Sequence, residues 1–419
     1  MAPVLVIQLA RLGDLLQSRR LILSLAQYGD AGAPAPVHLL TDQSLTAFAR
    51  RVYPEVTVHG LPAHAGGLDP AAVAGLCREA LGGLAAHDFT HVYNINHSPL
   101  SLALSAFFDP AQVVGHKLVR GQAHKDRLAA MALRWTKKRI HSAVNLMDYW
   151  AGFARMRVPP QAVNPAAKPA GGGLGVAVSG RNARRSPPPE HLAKIVAVLA
   201  AVRGYSRITL LGTAAEAAGA KALAKHLPGN LRGSVRDLTG KTGLTDLFAE
   251  VGALDALLTP DTGLMHLAAS LGAPVTALFL SSAWCHETGP YGAGHTIWQA
   301  APGCAPCLEA KPCAHDLKCL TAFTAQGFLR LMATEGRAPV PEGVIGYRSG
   351  LDALGALCVP FAGNDPAAGE RARLRGLAGR FLGVGEFFAA APEPEAAAEL
   401  YLETDYILPG RGAFPGRKY

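Results

Sequence analysis

Short apolar runs alternate with longer stretches of helical period along most of the chain. Val4-Leu5-Val6-Ile7-Gln8-Leu9 is a continuous apolar run, the pattern of a strand buried on both faces of a parallel sheet. Arg11-Leu12-Gly13-Asp14 follows as a tight polar loop, and beyond it Leu15, Leu21, Ile22 and Leu25 fall on one helical face. Further strands are predicted at 37–40, 56–58 and 90–94, with helical period over 71–84. Strand, loop and helix in alternation predict an open α/β sheet.

Residues 159–173, PPQAVNPAAKPAGGG, have the composition of a linker. The same rhythm then restarts. Strands are predicted at 175–178, 207–211, 255–259 and 274–280, and helices at 191–202, 214–226, 244–251 and 264–271. This divides the chain into a first α/β domain over 1–160 and a second over 174–334. The rhythm fades after about residue 321. Residues 335–419 are rich in Ala, Gly and Pro, with helices expected near 369–381 and 392–401, and read as an appendage without an assigned role. Two such halves suggest a cleft, and ligands of open α/β sheets bind at the carboxyl ends of the strands.

Composition narrows the ligand. Hydrophobic residues make up 49% of the chain and charged ones only 17%, yet the net charge is +9. A basic surplus favours anionic partners. Lys and Arg form no long run, which speaks against a nucleic-acid arm and for scattered phosphate-binding positions. No stretch offers eighteen clean apolar residues, so no transmembrane helix is expected. The start lacks a basic segment and a small-residue cleavage site, so the expected location is the cytoplasm. Seven cysteines are too few for a disulfide scaffold of this length. Four of them, Cys304, Cys307, Cys313 and Cys319, are spaced C-x2-C-x5-C-x5-C. Such a set can hold zinc or an iron–sulfur cluster, or can pack as free thiols.

Two polar hinges carry the candidate chemistry. In LLTPDTGLMHLAASLGAPVTALF, residues 257–279, a strand end meets a helix start at Pro260-Asp261-Thr262-Gly263. Backbone N–H groups at a helix N-terminus favour an anion there, Gly263 allows close approach, and Thr262 adds a hydroxyl. The ordinary role of Asp261 is that of an N-cap, and His266 one turn later is ordinarily a surface or core histidine. At the first hinge, Asp14 is either an N-cap or a general base.

VLVIQLARLGDLLQS and TPDTGLMHLAASLGAPVTALF together resemble glycosyltransferase family 9, the heptosyltransferases of lipopolysaccharide synthesis. LTGKTGLTDLFAEV, ETGPYG and the cysteine cluster stand in that family's order, so the resemblance runs from residue 3 to about 330. It implies a GT-B architecture, two Rossmann-like domains facing a cleft. The activity it implies is inverting, metal-independent transfer of a heptose or related sugar from a nucleotide diphosphate, ADP-heptose in that family. The acceptor it implies is a lipid-linked saccharide, which implies a position at the inner face of the inner membrane. No cofactor is required. The chain has no Asp-x-Asp pair to clamp a metal, so a helix N-terminus and basic side chains would neutralise the leaving diphosphate.

Carried over by position, Asp14 falls on the family's catalytic base. Arg185 in VSGRNARRSPPPEHL falls on its diphosphate-binding Lys, and an Arg keeps the charge. The segment departs elsewhere: Val178-Ser179 stands for His-Pro, and Pro187 for a Trp. Glu216 falls near the ribose-binding acid, and Asp261, Thr262, Gly263 and His266 match the signature. Asn96 and His97 lie in a region that faces the acceptor in the family, and a plain polar loop is the alternative there. A non-catalytic nucleotide- or glycan-binding relative is the alternative for the whole chain, favoured by the imperfect 179–187 segment. A nicotinamide-dependent oxidoreductase would want Gly-x-Gly-x-x-Gly after the first strand, which is missing.

Overall fold

The structure, a computed structural model, describes residues 2–29, 32–64, 67, 69–130, 139–180, 183–307 and 312–385. They divide into two compact units. One takes the described residues up to 130 together with 146–159 and 376–385; the other takes 139–145 and 160–375.

The first unit is built on a six-stranded sheet of β1 (Val4–Gln8), β2 (Val37–Asp42), β3 (Thr57–Leu61), β4 (His91–Asn94), β5 (Val113–Val119) and β6 (Gln122–Lys125), in the order β3-β2-β1-β4-β5-β6. The first five are parallel and β6 pairs antiparallel with β5. β1 is buried at every position, which is why its apolar run does not alternate. Leu5, Ile7, Leu40, Leu61, Leu84, Phe89 and Val92 form one core face. Behind the sheet, Arg20 in the helix Arg19–Tyr28 meets Asp148 in the helix Leu146–Ala151 at 2.6 Å, both buried, and Arg20 Nε donates to the Val158 carbonyl at 3.1 Å. The end of the described chain returns to this unit, where Arg157 donates to the Leu382 carbonyl at 2.5 Å.

The second unit holds eight strands: β7 (Leu174–Ala177), β8 (Ile208–Leu211), β9 (Val235–Asp237), β10 (Ala256–Pro260), β11 (Val275–Phe279), β12 (Thr296–Ala300), β13 (Val344–Leu351) and β14 (Ala356–Ala362). Their order is β14-β13-β12-β11-β10-β7-β8-β9; the first six in sequence are parallel, and β13 and β14 continue the sheet antiparallel. Leu174, Val176, Ile195, Ile208, Leu210, Leu258, Leu278, Trp298 and Phe328 belong to one of its cores.

The rhythm does not stop at 321. Helices Lys318–Thr324 and Gln326–Ala333 follow, and then the β13–β14 hairpin, so much of the stretch read as an appendage is sheet of the second unit. The helix Ala368–Phe381 lies where the sequence places one, and the expected helix at 392–401 lies outside the described residues. No helix among the described residues is long and apolar enough to cross a membrane.

Strand order reverses once in each sheet, between β1 and β4 in the first and between β7 and β10 in the second. At such a switch point the loops leaving the two strands run to opposite faces and open a crevice at their carboxyl ends.

Candidate functional site

At the second switch point the loop after β7 carries Arg185 and the loop after β10 carries Asp261. Arg185 Nη1 lies 3.6 Å from Asp261 Oδ2, and its Nη2 donates to Ser282 Oγ at 2.8 Å. Ser186 Oγ accepts from the Gly180 N–H at 2.5 Å and closes the turn that presents Arg185. The pair is partly exposed, 28% and 12% for the two side chains, so a ligand can reach it.

Asp261 is not the N-cap that the bland reading of the sequence expects. The helix Gly263–Ser270 begins one residue later, with Thr262 as N-cap in extended conformation and no side-chain capping bond. Thr262 Oγ1 instead pairs with Thr259 Oγ1 at 3.0 Å, and the Thr259 hydroxyl is within 2.8 Å of the Pro260 carbonyl. The Asp261 carboxylate faces the Arg185 guanidinium, and Gly263 is partly exposed at the helix start. His266 is 6% exposed, and burial lowers its pKa to about 4, so the ring is neutral at pH 7.

A second ion pair borders this crevice. Glu287 Oε2 accepts from Arg139 at 2.8 Å. Burial pushes the Glu287 carboxyl up, Arg139 opposes that, and Asp261 adds to it. Neither Ser282 nor Arg139 is singled out by the sequence. Arg139 sits in a stretch read with the first half, yet belongs to the second unit. The signal for Glu287 was its place at the head of ETGPYG.

Glu216 ends the first turn after β8, where its Oε2 accepts from the Thr213 hydroxyl at 2.7 Å and from the Thr213 N–H, closing a capping box. The four loop cysteines, together with Arg184, Ser281, His315 and Lys318, line a cavity of about 260 Å³. Cys307 Sγ lies 3.2 Å from Ser281 Oγ and 3.6 Å from Arg184 Nη2.

In the first unit, Asp14 is at the third position of the helix Leu12–Gln17, and its Oδ2 accepts from the Arg11 N–H at 3.1 Å. Burial raises its pKa, against its own backbone hydrogen bond and the nearby His97. Asn96, after β4, accepts from the Leu9 N–H at 2.6 Å and donates to Gln8 Oε1 at 2.7 Å. His97 is exposed, with its ring centroid 5.6 Å from that of His116. Asp14, Asn96 and His97 thus gather at the first switch point, and Arg185 and 261–266 at the second.

The sequence model of glycosyltransferase family 9 (heptosyltransferase) matches residues 182–317, the stretch that holds the second crevice. The resemblance to glycosyltransferase family 9 therefore holds. Lipooligosaccharide heptosyltransferase 2 of Haemophilus influenzae is 34% identical over 92 residues, 22% of this chain and 26% of that one, so the chain spans about a quarter of the length of this family 9 relative. Among solved structures, heptosyltransferase WaaC of E. coli with ADP superposes with a TM-score of 0.55 at 18% identity, over 77% of this chain and 100% of that one. A family 9 glycosyl transferase of Veillonella parvula gives 0.53 at 16% identity, over 81% and 92%. The ADP-heptose lps heptosyltransferase II of E. coli gives 0.51 at 17%, over 77% and 98%. At these identities the three structures establish the fold, an α/β architecture of two Rossmann-like sheets.

Proposed function

We propose that this chain is an inverting, metal-independent glycosyltransferase that moves a heptose, or a related sugar, from a nucleotide diphosphate donor to a lipid-linked saccharide of the lipopolysaccharide type. The observation that carries the reading is the Arg185–Asp261 pair at the β7/β10 switch point, beside a helix whose N-cap Thr262 makes no side-chain capping bond. Arg185 and the amides from Gly263 onward receive the diphosphate, with Thr262 and neutral His266 shaping the pocket and Asp261 aligning the guanidinium. Glu216 offers its carboxylate to the ribose hydroxyls. ADP-heptose is the donor favoured, since WaaC, a structure of this fold, is described with ADP.

Asp14 acts as general base. It takes the proton from the acceptor hydroxyl while that oxygen bonds to the anomeric carbon and the bond to the diphosphate breaks, leaving the nucleoside diphosphate with the electron pair. The raised pKa of Asp14 suits a base better than an ordinary carboxylate would. Asn96 and His97, beside it at the first switch point, border the acceptor. A lipid-linked acceptor would hold the enzyme at the cytoplasmic face of the inner membrane, which the net charge of +9 favours. The cysteines of the 304–319 loop hold structural zinc or an iron–sulfur cluster outside the reaction: they line one cavity, although no three of their thiols lie within 4.8 Å of one another.

The test is incubation with ADP-heptose and a lipooligosaccharide acceptor lacking its terminal heptose, following released ADP. Acceptor-dependent ADP release supports transfer. Binding of ADP-heptose without release would favour the non-catalytic relative.

A further inference from the structure

A second set of metal-type ligands lies away from the cysteine loop. Cys285 opens the short helix Cys285–Thr288, His286 follows it, and Cys358 comes from the edge strand β14. Their donor atoms all lie within 4.8 Å of one another, and among the described residues no other group of three His, Cys, Asp or Glu side chains converges in this way. Cys285 is 1% exposed and His286 8%, while Cys358 is half-buried and gives a way in.

The surroundings are those of a site rather than of a packed core. His286 Nε2 is buried without a hydrogen-bond partner, 3.9 Å from Asp365 Oδ2. An imidazole nitrogen in that state is costly unless something takes it up. Asp365 is held by Tyr347 Oη at 2.8 Å and Arg371 Nη1 at 2.6 Å, so it is already neutralised and oriented. Because Asp365 faces Nε2, it is placed as the outer partner that takes the Nε2 proton of a metal-bound ring, which leaves Nδ1 as the nitrogen for the cation. The backbone wraps the thiol of Cys358: its Sγ lies 3.6 Å from the Cys285 carbonyl, and a Cβ on Gly289 would come within 3.6 Å of it.

We propose that Cys285, His286 and Cys358 bind one zinc ion. Two thiolates, a neutral imidazole and a divalent cation sum to zero charge, which suits a buried place, and the donor set is of the kind zinc selects. Binding displaces the two thiol protons to solvent, and water completes the tetrahedron. The ion ties the 285–289 segment, whose Glu287 pairs with Arg139, to the β13–β14 hairpin. This inference does not depend on the donor or acceptor.

The experiment starts from the full chain with C304S, C307S, C313S and C319S combined, prepared without oxygen and titrated with cobalt(II) chloride and then zinc chloride. One equivalent of cobalt giving a thiolate-to-cobalt charge-transfer band, displaced by zinc, is expected. C358S or H286Q on that background should weaken the metal by at least about tenfold. No such band, or a band untouched by both substitutions, overturns the proposal. So does a chain 2 Da lighter with Cys285 and Cys358 joined as a disulfide under anaerobic conditions. If the four-serine background does not fold, C358S alone in the native chain decides by native mass: zinc per chain should fall by one, and an unchanged count overturns the site.

Discussion

The two switch points occupy equivalent places in their sheets and are closed by opposite chemistry. At β1/β4 the strand ends are bridged by neutral amides: Gln8 and Asn96 bond to each other, and Asn96 also takes the Leu9 N–H. At β7/β10 they are bridged by charge, Arg185 to Asp261. Each crevice holds an aspartate near a helix start. Asp14 sits inside its helix and is bonded to the Arg11 N–H, with burial raising its pKa. Asp261 sits before its helix and faces a guanidinium. The two acids differ by four positions relative to the N-cap, Asp14 three residues after Arg11 and Asp261 one before Thr262, and only Asp261 faces an arginine. Under the proposed function, the same strand–loop–helix unit serves a different half of the transfer in each crevice.

The largest effect should come from the first crevice. Asp14→Asn keeps the acceptor for the Arg11 N–H but removes the base, so turnover should fall by about 10²–10⁴. Affinity for ADP should stay within a factor of about two, because the second crevice is untouched. Initial rates of ADP release and calorimetric titration with ADP separate the two quantities, and equal losses in both would break the comparison. The sign of the pH effect follows from the raised pKa. The folded state holds the Asp14 proton more tightly than the unfolded chain does. The resulting stability is present at pH below the ordinary aspartate value of 3.8 and is lost as pH rises through the raised value. Asp14→Asn should therefore melt higher than the parent at pH 7, with the gap closing in acid. The acid limb of kcat/KM should lie above the ordinary carboxylate range.

Next in size is an acid weakness to which the second crevice contributes through His266. The His266 pKa falls from 6.5 to about 4 on folding. Its neutral form is what the fold accommodates, so stability is present above pH 6.5 and is lost as pH drops toward 4. The whole shift is worth about 3 kcal/mol. In His266→Gln the loss should shrink by that share while His38 and His295, also lowered to about 4 by burial, keep theirs, and thermal unfolding of the parent and the variant at pH 7 and pH 5 checks it. An equal loss between those pH values in both chains would show that other histidines carry the effect.

Arg185→Ala should weaken ADP by about 1.5–3 kcal/mol, roughly ten- to a hundred-fold, since a charge-assisted contact is lost. Arg185→Lys should recover part of this, because the charge returns without the fork that reaches both Asp261 and Ser282. A thermal-shift series over ADP concentration reads both variants, and full recovery by Lys would show that charge alone matters.

The sequence marks the two crevices well and their walls poorly, for a physical reason. β1 and β10 are buried on both faces, so each is an unbroken apolar run ending in a polar turn. β13 and β14 are not. VIGYRSGL carries Arg348 and Ser349 mid-strand, and ALCVPFA carries Pro360 on a sheet edge, where its missing N–H is harmless. Neither keeps an apolar run or a clean alternation, so the hairpin reads as appendage. The site shows the same split. Arg185, Asp261 and Asp14 stand in turn segments that follow strands, whereas Ser282 and Arg139 reach their partners only through tertiary folding. No local pattern foretells that Asp261 lies one residue short of the N-cap: the choice between Asp261 and Thr262 is settled by the arginine on the neighbouring loop.

The smallest effect tests the neutral bridge. Asn96→Ala removes the acceptor for the Leu9 N–H and the donor to Gln8 Oε1. Gln8 is buried, but its Oε1 still takes the Ala10 N–H at 3.2 Å, so one of the two lost partners is replaced in part. The cost should be about 1–2 kcal/mol in the first unit, read as a lower unfolding midpoint. ADP affinity should not change, because no charge is lost and the second crevice does not share the bridge. Turnover should drop a few-fold at most if Asn96 only anchors the loop before Asp14. A rise in the KM for acceptor with the midpoint unchanged would mean instead that the amide meets the acceptor directly, and the two crevices would then differ less than their bridges suggest.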